Sequence, residues 1–341
     1  MNNKMPELRK DVSVRNILDK LGITQLLNTK GVTEVMINRP YEIFIEGANG
    51  KERIEKENLT LNRCMELANV LCIYNEKHIS PKSPMHSVTL PDGERCHILI
   101  PPACETGTVV FSFRKPSTSR FKLEDYANTG RLDGFVDVAH TLHQQKGLQP
   151  YEEELIRLKD EKRIEEFFKL AIKKKLNICM VGGTGSGKTT FTKALADLVP
   201  FDTRIITIED THELDLPNHP NRLHLFYKEH VTAKAVIASC MRLKPDRIFL
   251  TELRGDEAWD YLSALNTGHA GGLTSVHAND ARSVYYRIAQ LAKESTAGQG
   301  MNYDYILNIV RSTIDVVCFF EKTKLKELYY DPHAKLKALQ G

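Results

Sequence analysis

Long apolar runs, paired cysteines and a one-sided charge are all missing from this chain of 341 residues. No uninterrupted apolar stretch approaches the ~18 residues that a membrane-crossing helix needs, so a spanning segment is excluded. The seven cysteines (Cys64, Cys72, Cys96, Cys104, Cys179, Cys240 and Cys318) never fall at C-x-x-C spacing. That argues against disulfides and zinc and for reduced, packed thiols in a cytosolic protein. A net charge of +3 and a single tryptophan give no sign of a nucleic-acid groove lined with stacking aromatics. Weak basicity is compatible with contact to an anionic membrane surface. Met1 to Asp11 carry charge but no apolar signal-peptide core, which places the protein on the cytosolic side. Internal repeats and low-complexity tracts are absent too.

What is present begins with length and hydrophobic content. A chain of this size suggests two domains, and 41% hydrophobic residues are enough to fill their cores. Residues 12–28 carry Val14, Ile17, Leu18 and Leu21 at helical spacing, as expected for a helix packed on its own domain. Val32 to Glu46 alternates around Asn38-Arg39-Pro40, which predicts two strands and a turn. Leu61 to Tyr74 reads as a helix, and Val88 to Pro101 and Thr108 to Arg114 read as strands. The first half is thus a mixed α+β domain. Gly130, Gly134, Gly147 and Pro150 place the interdomain segment late in residues 117–150. Tyr151 to Lys175 is charged with apolar residues at helical intervals, and Lys173-Lys174-Lys175 reads as a solvated helix end suited to the macrodipole.

The most informative stretch is Gly182-Gly183-Thr184-Gly185-Ser186-Gly187-Lys188-Thr189. It fits G-x-x-x-x-G-K-[ST], in which glycines let backbone N–H groups close around phosphate oxygens. Leu176 to Val181 predicts a buried strand before it, and Thr190 to Leu198 a helix after it that ends at Pro200. The helix N-terminus favours an anion. Lys188 is expected to reach the β and γ phosphates and the Thr189 hydroxyl to bind Mg²⁺, with Thr190 beside them.

Downstream, strands and helices alternate through Arg204–Ile208, Thr232–Leu243, Arg247–Thr251, Asp256–Asn266, Leu273–Val276 and Asp280–Lys293. This predicts an α/β domain with a largely parallel sheet and ligands at the strand C-termini. Three segments offer chemistry there. Glu209, in Glu209-Asp210-Thr211-His212-Glu213, is a candidate general base or water orienter. Glu252, at the end of an apolar strand, is a candidate for holding Mg²⁺ through water or activating the nucleophile, or it simply pairs with Arg254. His277 ends a strand and can sense the γ-phosphate by hydrogen bonding. His269 sits in a glycine-rich turn before it. Their spacing does not suit a metal pair.

These segments, in this order, resemble the Asp box, Walker B segment and His box of the type II and type IV secretion ATPases. Upstream, Val32 to Pro40, Leu90 to Arg95 and Phe111 to Ser117 are similar to the N-terminal domain of the type IV secretion and conjugation ATPase. The resemblance covers roughly residues 30–320. It implies a C-terminal RecA-like P-loop NTPase domain (166–341), a smaller α+β N-terminal domain (1–140) closing over nucleotide, and a linker (141–165). It also implies a homohexameric ring that uses ATP and Mg²⁺, with Arg95 and Arg114 reaching the phosphates. Arg242, Arg247 and Arg254 are weaker candidates for subunit contacts. Expected partners are other inner-membrane and cytoplasmic secretion components, at the inner membrane of a Gram-negative-type bacterium, without direct nucleic-acid binding. The four-cysteine insertion common in type II export members is absent, as is a pilus-retraction signature, which favours type IV secretion. The rival readings are a RecA-like nucleic-acid motor and a nucleotide-switched binding module. No N-K-x-D segment points to guanine.

Overall fold

The computed structural model describes residues 10–47, 50–116, 120–139, 147–228 and 230–340. The chain forms two compact units, Met1–Thr118 and Ser119–Gly341. The residues preceding Lys10, Ser117 of the quoted motif, and residues 141–146 of the expected linker lie outside the described residues.

The first unit contains helices α1 (Val12–Lys20) and α2 (Ile23–Asn28), strands β1 (Val32–Ile37), β2 (Glu42–Gly47) and β3 (Gly50–Glu55), helix α3 (Leu61–Tyr74), and strands β4 (Met85–Thr89), β5 (Arg95–Leu99) and β6 (Val110–Arg114). Its six-stranded sheet runs β3-β2-β1-β6-β5-β4, and its named pairings are antiparallel. The expected single helix over 12–28 is two helices, because Gly22 adopts φ 72° between them. Val14, Ile17, Leu18 and Leu21 are all buried in this unit's own core. Thr60 caps α3, its side chain accepting from the Arg63 amide.

The second unit contains α4 (Leu123–Asn128), β7 (Val136–Asp137), α5 (Pro150–Asp160), α6 (Ile164–Lys173), β8 (Ile178–Val181), α7 (Lys188–Ala196), β9 (Ile205–Glu209), β10 (Arg222–Phe226) and α8 (Ala233–Cys240). It continues with β11 (Arg247–Leu250), α9 (Glu257–Asn266), β12 (Leu273–Val276), α10 (Ser283–Glu294), α11 (Thr296–Gln299), α12 (Tyr303–Thr313), β13 (Val316–Glu321), β14 (Lys324–Tyr330) and α13 (Pro332–Gln340). Eight strands line up as β10-β9-β11-β12-β8-β13-β14-β7. Strands β10 through β13 pair in parallel, and β14 turns back antiparallel. The four residues of β8 are wholly buried, as are those of β11 and β12, as expected where helices cover both faces of a parallel sheet.

Of the expected linker over 141–165, the stretch Pro150–Asp160 is helix α5 and α6 starts at Ile164. Leu155 and Leu158 of α5 are buried in the second unit's core with Leu123 and Tyr126 of α4. The charge of Tyr151 to Lys175 lies on the outer faces of α5 and α6, where Arg157 and Arg163 pair with Glu154, Glu161 and Glu166. A dense charge pattern therefore marked a solvated helix face rather than a hinge. Lys173, Lys174 and Lys175 do form an exposed helix end. The seven cysteines are free, and six are buried. Burial alone raises the Cys64 thiol to about 11, which keeps it protonated and inert. No helix among the described residues is long and apolar enough to cross a membrane.

Asn177, 5% exposed just ahead of β8, ties the strand to its later neighbours. Its Oδ1 accepts from the Gly271 and Gly272 amides, and its Nδ2 donates to the Thr313 carbonyl. Asn177→Ala leaves three buried polar groups without that partner. It should cost roughly 2–4 kcal/mol in the urea unfolding of the second unit. An unchanged denaturation midpoint would refute this role.

Candidate functional site: a phosphate loop and its carboxylates

Strand β8 delivers the chain into residues 182–187, and α7 begins at Lys188. Gly182 and Gly187 take φ of 143° and 95°. A Cβ on Gly182 would stand 2.3 Å from the Phe320 carbonyl oxygen, whereas one on Gly187 would only touch Thr323 at ordinary contact distance, so there the positive φ is the constraint. Only glycine fits at Gly182. Around Gly183 and Gly185, by contrast, the space is open, so these glycines keep the outer face of the loop bare. The Ser186 hydroxyl is enclosed without a hydrogen-bond partner among the described residues. Lys188 Nζ folds back to donate to the Gly182 and Gly183 carbonyls at 2.6 and 2.7 Å, which places its charge over the loop.

Strands β9 and β11 finish at the same end of the sheet as this loop, beyond β12. Glu209 is fully buried at the end of β9. Its Oε2 accepts from the Glu213 and Leu214 amides, each at 2.8 Å, and its Oε1 accepts from the Thr207 hydroxyl. Burial pushes this carboxyl up, but the hydrogen bonds of His224, Leu214, Glu213 and Thr207 outweigh it and hold the group below its ordinary range. This differs from the expectation of a water-orienting carboxylate. An enclosed group so fully engaged shapes the 210–214 segment, and the carboxylate presented to the loop is Glu213, whose Oε2 accepts from Thr189 Oγ1 at 3.2 Å.

Glu252 follows β11 and is 18% exposed in its side chain. Its pairing with Arg254 is present, and a histidine adjoins its other oxygen. Arg254 Nη2 donates to Glu252 Oε2 at 2.7 Å, and His277 Nε2 lies 3.1 Å from Glu252 Oε1. Arg254 also reaches Asp210 at 2.6 Å. Burial opposes the Arg254 charge, but the Glu252 and Asp210 carboxylates overcome it and raise its pKa. Burial and then the Lys188 charge depress His277, with Glu252 and the Gly182 backbone opposing. His277 is therefore held neutral at pH 7, suited to accept or share one proton.

The structure brings Lys188, Thr189, Glu213, Glu252, Arg254 and His277 to one end of the sheet. It does not bring His269 there, since that residue precedes β12 and lies at the opposite strand end. Arg247 does not face outward as a subunit-contact residue would. It is 2% exposed, donates to the Ile172 carbonyl, and is lowered by burial to about 10. Arg242 is exposed. In the first unit Arg95 and Arg114 are direct cross-strand partners on β5 and β6, so their side chains share one sheet face. Sequence reasoning missed Glu213, though it stands four residues after Glu209. It also missed the Lys322-Thr323 turn, where the Thr323 amide donates to the Ser186 carbonyl at 3.2 Å.

A glycine loop between a buried parallel strand and a helix, with carboxylates on neighbouring strand ends, defines a RecA-like nucleotide-binding fold. The chain belongs to the family described as "Type II/IV secretion system protein", whose model matches residues 17–321. It is 39% identical over 324 residues to the type IV secretion system protein VirB11 of Brucella suis, covering 91% of this chain and 88% of that protein. It is 34% identical over 304 residues to the type IV secretion system protein PtlH of Bordetella pertussis, covering 87% of each. The crystal structure of the Brucella suis VirB11 ATPase in complex with sulphate matches with a TM-score of 0.54 at 39% identity. That match covers 95% of this chain and 99% of the other. The chain is thus a homologue of type IV secretion ATPases.

Because the Glu209 carboxyl lies below its usual range in the folded protein, its stabilisation is complete above the unfolded pKa and is lost as pH falls through the folded one. Glu209→Gln should cost about 1–3 kcal/mol at neutral pH. Measured by denaturant unfolding, the gap to the parent should narrow below about pH 4.3. A gap that widens in acid would contradict the assignment.

Proposed function

We propose that this chain hydrolyses ATP with Mg²⁺ in a homohexameric ring and so drives type IV secretion of protein or nucleoprotein substrates and pilus assembly. Its place is the cytoplasmic side of the inner membrane, with other secretion components as partners. The observation that carries the reading is the loop 182–187 with Lys188 across its carbonyls, Glu213 on Thr189, and Glu252 paired with His277 at the same end of the sheet. The homologous VirB11 is described as an ATPase and was crystallised in complex with sulphate.

Water attacks the γ-phosphorus in line with the departing bridging oxygen, which leaves with ADP, and the water proton passes to a nearby base. Lys188 exchanges its two carbonyl partners for phosphate oxygens and neutralises charge. The Thr189 hydroxyl and the Glu213 carboxylate are paired oxygen donors that suit Mg²⁺, and Glu252 would join them through water. A bound ion would supply charge compensation there. Glu252 takes the water proton or orients the water, and neutral His277 at its Oε1 registers the change in charge. Glu209 acts through the segment it holds, setting the position of Glu213. Arg95 and Arg114 add two guanidinium forks for phosphate oxygens. The reading favours a motor over a passive nucleotide switch because Glu213 meets Thr189 and a second carboxylate, Glu252, stands with His277 at the same strand ends.

Lys188→Ala should lower steady-state phosphate release by about 100-fold or more, and Glu252→Gln by roughly 100-fold while nucleotide still binds. Turnover near the parental rate in Lys188→Ala would end the loop assignment. Light scattering with a non-hydrolysable ATP analogue should report six chains, and a persistent monomer would remove the ring.

A further inference from the structure

Three ligand-type side chains meet where β9 and β10 end. Strands β9 and β10 are parallel, with Thr207 opposite His224 and Glu209 opposite Phe226. The two-residue period of a strand puts Thr207 and Glu209 on one face, and the register brings His224 to that face. His212, in the segment after β9, folds back over them. Glu209 Oε1 lies 3.4 Å from His224 Nδ1 and 3.5 Å from His212 Nδ1, and one ligand-type atom from each of the three residues lies within 4.8 Å of the others. The imidazole rings meet edge to face with centroids 4.4 Å apart.

These separations match a chemical template. Ligands held about 2.0–2.1 Å from a tetrahedral zinc ion stand about 3.3–3.4 Å from one another, the tetrahedron's edge. Two of the three edges here are already near that length. Two imidazoles and one carboxylate are donors that suit zinc-class ions rather than Mg²⁺. One outer contact a metal site needs is built: the Glu213 and Leu214 amides fix the non-ligating oxygen, Glu209 Oε2. Thr207 Oγ1, 2.8 Å from both Glu209 Oε1 and His224 Nδ1, holds the two ligand atoms that a cation would take over from it. His212 is half exposed, which gives an ion an entry path and leaves a coordination position open to water.

We infer that Glu209, His212 and His224 form a binding site for a zinc-class divalent cation, separate from the oxygen donors at Thr189. Thr207 yields Glu209 Oε1 and His224 Nδ1 to the ion. Binding joins β9, β10 and the 210–214 segment at one point. Glu213 lies on that segment, so the ion stiffens the stretch that carries it to the phosphate loop. The site itself rests on the three ligands and stands whether or not the loop hydrolyses ATP.

The test is a cobalt titration of chelator-stripped, full-length protein without nucleotide or Mg²⁺, read by visible absorption. One equivalent should bind saturably, give the strong ligand-field band of low coordination, show no thiolate charge transfer, and be displaced by Zn²⁺. His212→Ala, at an exposed position that leaves folding intact by circular dichroism, should weaken binding by more than the roughly 10–100-fold that loss of an outer partner costs. His224→Ala should do the same, while His277→Ala should leave the band unchanged. No saturable band, a band equally strong in His212→Ala, or a thiolate charge-transfer band would each overturn the assignment.

Discussion

A backbone that closes on an anion must turn its amides inward and its side chains away, and everything at this site follows from that constraint. Gly182 meets it because a carbonyl of β13 occupies the place where a side chain would begin. Gly187 meets it by starting α7 from a left-handed conformation. The loop is therefore not a free arch. It rests on the β13–β14 hairpin, whose Thr323 amide holds the Ser186 carbonyl. The glycines serve two surfaces at once, an open one toward ligand and a packed one toward the protein.

The charges around the loop form one connected set. Lys188 sits on loop carbonyls, and His277 is depressed by burial and by Lys188. His277 meets Glu252, Glu252 meets Arg254, and Arg254 meets Asp210. Asp210 adjoins Glu209, which is locked by the amides of the segment bearing Glu213. Any change of charge at the loop is therefore felt first by groups that already share protons and partners, which is how strand ends carry a local event into the sheet.

Much of this was legible in the sequence, and the reasons are specific. The loop motif, the strand before it and the helix after it are local patterns, and local patterns survive without tertiary knowledge. Glu252 and His277 were legible because each ends an apolar run. The role of Glu209 was not, because its chemistry depends on burial and on amides four and five residues away. The helical spacing of Leu155 and Leu158 was legible, but not that it buries α5 in the second unit's core instead of leaving it within a linker. Strand β3 was missed because its charged sequence lacks a strand pattern. The hairpin turn was invisible because Lys322 and Thr323 take positive φ without glycine or asparagine.

Strand β8 lies between β12 and β13, both of which come later in the chain, and the turn under Ser186 comes later still. A ribosome making this protein finishes the glycine motif long before it makes the segments that brace it. An emerging chain thus carries the motif before its scaffold, and the loop gains its full support only after Thr323 has been made. Strand order makes the bracing of this site a late event in the life of the chain.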